Sequence, residues 1–229
     1  MKRNKLLFSI AFFCLTIALL LTVIDFNCFD VSFYKKEYAQ NKTCEATGMN
    51  EEDLMDTTQV LFDYLHDERD DLIVEHSVNG SLREIFDSRE KAHMVDVKNL
   101  YLNAIKVRNI LLVIGIGFIV IGIFLDKKNI FNPLLSGYKI GVSFLLLIIV
   151  CILIYAAIDF NSFWLQFHYI FFSNDLFLLD PNTEILINMV PEQFFFDLVI
   201  RIIWMFFVGI VVPYVVLSLL KKKLGKVND

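Results

Sequence analysis

Residues 6–24 read L-L-F-S-I-A-F-F-C-L-T-I-A-L-L-L-T-V-I, a run without one charged side chain. As a helix this run rises about 28 Å at about 1.5 Å per residue, close to the roughly 30 Å of bilayer hydrocarbon. Before it stands M-K-R-N-K and after it D-F-N-C, with no small-x-small cleavage site. The pattern is that of an uncleaved signal anchor. Three further runs match it in length and hydropathy, at about Val107–Leu125, Ile140–Ile158 and Leu198–Leu220. The chain has 229 residues, 56% of them hydrophobic, and a mean hydropathy of +0.58. A soluble domain of this length rarely carries so much apolar side chain, so the sequence reads as an integral membrane protein.

Lysine and arginine set its direction. Lys2, Arg3 and Lys5 precede the first run. Lys127, Lys128 and Lys139 lie between the second and third, and Lys221, Lys222, Lys223 and Lys226 follow the fourth. Residues 159–197 hold Asp159, Asp175, Asp180, Glu184, Glu192 and Asp197 but no lysine or arginine. Both termini are therefore expected in the cytoplasm and two segments outside the cell membrane. The expected fold is all-α: four transmembrane helices with an extracytoplasmic helical cap formed by the two outer segments. The parts are 1–25, first span; 26–106, cap segment; 107–158, second and third spans with a short cytoplasmic loop; 159–197, an aromatic interfacial segment; and 198–229, fourth span and basic tail. The net charge of −5 is a difference between two faces and argues against nucleic acid as a partner.

In the first outer segment, Leu54, Val60, Leu61, Tyr64 and Leu65 lie on one helical face across Asp53–His66. Asn79-Gly80-Ser81 marks a turn, and Ser88 is placed to cap a helix that runs to Arg108. No strand alternation stands out. Cys14 and Cys151 fall inside spans as packing residues. Cys28 and Cys44 lie outside, where a disulfide is possible but spacing alone does not define it. In the second outer segment Phe160, Phe163, Trp164, Phe167 and Phe171 recur at helical spacing, with His168 on their flank. This row serves as an interfacial belt, as an aromatic wall for acyl chains, or as both. Ser173-Asn174-Asp175 and Asp180-Pro181 read as turns.

The residues with chemical potential are few. His93 has Asp96 at i+3 and Arg89 at i−4, both able to approach its ring on a helix. A carboxylate there would fix the imidazole tautomer and raise its basicity. His168 sits among Trp164, Phe167, Phe171 and Phe172. His66 and His76 lie in an acidic stretch and read as solvated. Arg201 lies about a turn into the fourth run, where a charge is costly and marks a functional hypothesis. It pairs with Asp197 or Asp25, or it anchors substrate near the outer headgroups. There is no G-x-S-x-G, H-E-x-x-H, P-loop or dinucleotide fingerprint, so no metal site, cofactor or enzyme-borne nucleophile is expected. Two imidazoles at a lipid boundary suggest proton transfer on a substrate that supplies its own nucleophile.

Three blocks carry a resemblance: R-E-K-A-H-M-V-D-V-K-N-L (89–100), F-H-Y-I-F-F-S-N-D-L-F-L-L-D-P-N-T (167–183) and M-V-P-E-Q-F-F-F-D-L-V-I-R (189–201). With the span order and chain length, they resemble the lipoprotein intramolecular transacylases of Gram-positive bacteria, four-span membrane acyltransferases. The resemblance implies transfer of the sn-2 acyl chain of a diacylglyceryl-cysteine lipoprotein onto that cysteine's α-amino group. The product would be a lyso-form lipoprotein. His93 and His168 would be the catalytic pair, with membrane phospholipids and diacylated lipoproteins as partners. Trp164, Phe167, Phe171, Phe172 and Arg201 are candidates for holding substrate, and Asp96, Arg89 and Asp175 for support. The residues alone leave open which histidine is base and which is acid. The alternative is a non-enzymatic membrane protein whose acidic cap binds a partner. One geometric tension remains. A straight helix lifts His93 about 21 Å above Val107 at about 1.5 Å per residue. The helix must therefore bend, break or lie flat near Asn99–Asn103, or the bilayer boundary must sit higher.

Overall fold

The computed structural model describes residues 2–125 and 130–225, so Lys127, Lys128 and Lys226 lie outside the described residues. The elements in order are α1 (Lys2–Cys28), α2 (Val31–Gln40), α3 (Thr43–Thr47), α4 (Glu51–Leu65), β1 (Glu75–Val78), β2 (Ser81–Glu84), α5 (Ser88–Leu125), α6 (Phe131–Ile158), α7 (Phe160–Phe171), α8 (Leu186–Met189) and α9 (Glu192–Gly225). Four of them, α1, α5, α6 and α9, are long and apolar enough to cross a membrane. The chain divides into two compact units. The first takes Met1–Asp25, Ile105–Ile158 and Arg201–Asp229; the second takes Phe26–Ala104 and Asp159–Ile200.

In the first unit α1 packs at the centre, with Phe8, Ala11 and Ala18 wholly buried. Glycines let the other helices approach it. A Cβ on Gly141 of α6 would stand 2.5 Å from the Ser9 carbonyl oxygen and 2.8 Å from the Phe13 nitrogen. One turn earlier, a Cβ on Gly137 would meet Phe8, and on α5 one at Gly115 would meet Leu15. Small residues at such contacts are how helices associate where lipid removes the hydrophobic drive. Tyr138 donates to the Ile210 carbonyl, tying α6 to α9, and Arg108 pairs with Asp25 at 2.6 Å. The outer faces are apolar: Val113, Ile116, Leu147, Ile154, Val212 and Leu219 are exposed.

The second unit has its own core of Leu54, Leu61, Tyr64, Leu72, Val74, Ile85, Phe86, Met94, Ile185, Leu186 and Met189. Asn50 caps α4 by accepting from the Asp53 N–H at 2.8 Å. The expected turn at Asn79-Gly80 is the tip of an antiparallel hairpin that pairs β1 with β2. Both tip residues have positive φ, 50° and 83°, the geometry for which Asn-Gly is suited. The hairpin adds a small strand pair to an otherwise helical chain.

One expectation needs correction. Ser88 does not cap α5. The Asp87 carboxylate accepts from the N–H groups of Arg89 and Glu90, and the Glu90 carboxylate accepts from the Asp87 N–H. That reciprocal pair is a capping box, with Ser88 as the first helical residue. Of the alternatives for the height of His93, a break near Asn99–Asn103 is excluded, since α5 is continuous from Ser88 to Leu125. No proline or glycine interrupts Asn99–Asn103, so nothing in the sequence disrupts its hydrogen-bond ladder. Residues 88–104 belong to the second unit, and the apolar stretch from Val107 supplies the span.

Candidate active site

His93 and His168 are 75 positions apart, and the second unit brings their rings to 6.1 Å between centroids. Polar contacts between α5 and the segment after α7 hold this approach. Arg89 donates to the Asp175 carbonyl at 2.6 Å. Glu90, 1% exposed, accepts from the Leu186 N–H at 2.6 Å. Asp96 accepts from the Asn174 side-chain amide at 2.8 Å. Glu184, also buried, accepts from the Asp180 N–H and faces the Arg89 guanidinium at 3.8 Å. The residues flanking His93 thus fasten the segment that follows His168.

The α7 helix starts at Asp159, whose carboxylate caps it through the Ser162 N–H. Phe172 ends it and turns inward. His168 is enclosed by rings. Phe177 stacks on it at 4.7 Å, and Trp164, Phe167 and Phe172 stand at 4.9, 5.5 and 5.7 Å. Phe172 also meets His93 edge-on at 5.3 Å. Phe195 stacks on Trp164 at 4.1 Å and extends the aromatic wall. Phe171 touches Phe167 but is half exposed and makes no ring contact with either imidazole. The aromatics in ring contact with His168 are therefore Trp164, Phe167, Phe172 and Phe177. The last was not selected from sequence, because it lies beyond the helical row.

Desolvation governs the charge state of both rings. Burial pushes the His93 imidazole down to about 4, with the neighbouring His168 and Arg89 acting the same way and Asp96 opposing. Burial lowers His168 as well, partly offset by its bond to the Trp164 carbonyl. Both are neutral at pH 7. His168 Nδ1 lies 2.7 Å from the Trp164 carbonyl oxygen. A carbonyl only accepts, so Nδ1 carries the proton and Nε2 presents its lone pair. His93 Nδ1 is buried with no hydrogen-bond partner.

Asp96 does not bond to the His93 ring; its carboxylate turns to Asn174 instead. Asp197 accepts from Gln193 at 2.9 Å and lies beside the buried Glu37, whose carboxyl it helps to raise after burial itself. Asp25 holds Arg108. Arg201 is half buried in the first unit, and both it and Asp25 make further interactions. His76 is not solvated: its ring nitrogens lie 3.2 Å from Asp53 and 3.0 Å from Asp56, pinning β1 to α4. His66 packs on Phe29 and Tyr101 at 4.1 and 5.6 Å. No disulfide joins Cys28 and Cys44. Among the described residues no three of His, Cys, Asp or Glu are grouped to hold a metal.

Four apolar helices define a multi-pass membrane protein, and its second unit holds a ring-enclosed histidine pair. The family model for lipoprotein intramolecular transacylase Lit matches residues 9–195. The chain belongs to that family, an acyltransferase family acting on lipoproteins, which displaces the reading as a non-enzymatic binding protein. Among solved structures it is similar to the membrane-integral lipoprotein intramolecular transacylase Lit from Bacillus cereus, at 22% identity over 97% of each chain with a TM-score of 0.77. Two variants of that protein, each with one histidine replaced, are similar too. The arginine variant gives 21% identity over 100% of this chain and 96% of the other, with a TM-score of 0.77. The alanine variant gives 22% over 97% and 95%, with a TM-score of 0.75. A search of curated proteins finds no match.

Proposed function

We propose that this chain moves the sn-2 acyl chain of a diacylglyceryl-cysteine lipoprotein to the α-amino group of the same cysteine, with His93 and His168 as the acid–base pair. The observation that carries this reading is the pair itself: two neutral imidazoles 6.1 Å apart, one with its tautomer set by a backbone carbonyl. Amine and ester belong to one substrate molecule, so the enzyme need not supply a nucleophile. Holding them together provides effective molarities of about 10⁵–10⁸ M. His168 Nε2 takes a proton from the amine as it attacks the ester carbon. The tetrahedral intermediate then expels the glycerol sn-2 oxygen, which receives that proton as the carbonyl re-forms. His93 faces the same space and, as a neutral imidazole, donates a hydrogen bond to the developing oxyanion. Trp164, Phe167, Phe172 and Phe177 exclude water and line the acyl chains; Arg89, Asp96 and Asp175 hold the loop.

The charge pattern supports the placement. Residues 1–25, 107–158 and 198–229 form the membrane part with both termini cytoplasmic, and 26–106 and 159–197 form an extracytoplasmic cap. The site then works at the outer leaflet, among phospholipids and diacylated lipoproteins. Arg201, near the outer end of the fourth span, anchors substrate headgroup or backbone oxygens. That two solved structures of the Bacillus cereus protein carry a replaced histidine is in keeping with a histidine-dependent reaction.

The test is mass spectrometry of lipoprotein N-termini from cells with the wild-type chain, His93→Ala or His168→Ala. The wild type yields N-acylated lyso-form lipoprotein. Each variant inserts normally and loses about 10²–10⁴-fold in turnover if it removes one proton-transfer group. Near-wild-type conversion by either variant removes that histidine from the mechanism.

A further inference from the structure

The reaction proposed above begins with an α-amine that is largely protonated at pH 7, since its reference pKa is about 7.7–8.0. A cation brought against neutral imidazoles and a shell of aromatic rings requires a compensating anion. Most acids around the histidine pair are already engaged. Glu90 accepts two backbone N–H groups, from Asp87 and Leu186. Glu184 accepts the Asp180 N–H and faces Arg89. Asp87 caps α5. Asp175 is exposed, and its carbonyl takes the Arg89 guanidinium.

Asp96 differs. It is half buried, three residues after His93 on the same helix. One carboxylate oxygen, Oδ2, is held by the Asn174 amide at 2.8 Å. No lysine or arginine lies within ion-pair distance of it among the described residues, and it does not bond to His93 Nδ1. It is also the one carboxylate whose charge acts on the His93 ring. Asn174 follows Phe172, which packs against His93, so the Asp96–Asn174 contact lies where α5 meets the end of α7.

We infer that the free oxygen of Asp96 receives the substrate's α-ammonium group and holds it at the histidine pair. This rests on the transacylase reading and names the group that selects a free amino terminus. The ammonium gives one proton to His168 Nε2. The resulting amine attacks the ester carbon, and the bond from carbon to the sn-2 oxygen breaks. The departing alkoxide takes the proton from the His168 imidazolium. The new amide nitrogen loses its surplus proton to the same imidazole, which releases it to water. The net change is ammonium plus ester to amide, alcohol and one proton.

The pH dependence of binding separates this role from a structural one. His93, His168, Arg89, Glu90, Glu184 and Asp175 are the other titratable or charged groups around the site. His93 is already neutral above pH 6, so neutralising Asp96 does not alter its charge there. The full-length enzyme is assayed in detergent–lipid micelles with a synthetic diacylglyceryl-cysteinyl peptide from pH 6 to 9.5. At pH 6.5, Asp96→Asn is expected to raise KM about tenfold with a smaller change in kcat. The ratio to wild type should fall towards one above pH 9, where the substrate amine is neutral and has no need of the carboxylate. Asp96→Glu should recover part of the loss, and Asn174→Ala should raise KM less than Asp96→Asn. An N-desamino analogue, which cannot carry the positive charge, should inhibit wild type and Asp96→Asn equally. A KM ratio of one at pH 6.5, or one constant across the range, overturns the inference. If the wild type forms no N-acyl product at any pH, the transacylase reading fails instead.

Discussion

A histidine is useful in acid–base chemistry only when its proton is in the right place, and here a backbone carbonyl decides that. Because the Trp164 carbonyl accepts from His168 Nδ1, the free nitrogen is Nε2, on the ring edge away from its own helix turn. Burial then keeps both rings neutral at pH 7, His93 with a pKa of about 4 and His168 also lowered. The consequence is measurable in kcat/KM. An enzyme with an ordinary histidine base loses activity below about pH 6.5. With both rings depressed and the substrate bound as its ammonium, kcat/KM should instead stay level through about pH 6.5 and fall only at lower pH. A limb with its inflection near about 6.5 would mean that an imidazole with an ordinary pKa controls the rate.

At the scale of elements, α5 is the organising piece, since one helix carries His93 and the side chains that hold the opposite loop. Glu90 is the buried fastening among these. Removing its carboxylate as Glu90→Ala strands the N–H groups of Asp87 and Leu186, a cost of about 1–3 kcal/mol for each that stays buried. Amide exchange in residues 173–189 should accelerate, while exchange in α6 stays unchanged and turnover falls as Phe177 loosens from His168. Unaltered exchange in 173–189 would show that the loop is held by other contacts. How much of this was legible depended on range. The four spans were readable because a window of about 20 apolar residues is a local signal. The α4 helix was readable from its apolar face. The Asn79-Gly80 hairpin carried its turn signal, yet its strands have four residues each and β2 is exposed throughout, so no alternation revealed them. His93, His168, Trp164, Phe167 and Phe172 could be chosen by type and spacing. Glu90, Asn174 and Phe177 could not, since each acts through a partner far away in sequence.

For the whole molecule, the histidine pair and the rings around it lie in the second unit, assembled from residues 26–104 and 159–200 that two membrane passages separate in sequence. That unit must therefore fold around two imidazoles that it keeps uncharged, and its stability must depend on pH. The unfolded chain protonates a histidine near pH 6.5, whereas native His93 resists protonation until about 4. Between those values the unfolded state binds the extra proton, so stability is full above about pH 6.5 and falls as pH drops towards 4. The depression of His93 corresponds to a loss on the order of 3 kcal/mol across that window, at about 1.4 kcal/mol per pKa unit. Glu37 and Glu90, whose carboxyls burial raises, act in the opposite sense, because their native forms hold protons more tightly than the unfolded chain. The His93 contribution is isolated by comparing slopes. Denaturant unfolding, followed by fluorescence of Trp164 in the second unit, should be measured between pH 7 and 4 for the wild type and His93→Gln. Trp204, in the first unit, is replaced by phenylalanine in both backgrounds. The wild type should lose stability more steeply than the glutamine variant, which has no ring to protonate, whatever their relative stability at pH 7. Parallel slopes would mean that His93 remains hydrated in the native state, and a neutral donor to the oxyanion would then no longer describe it.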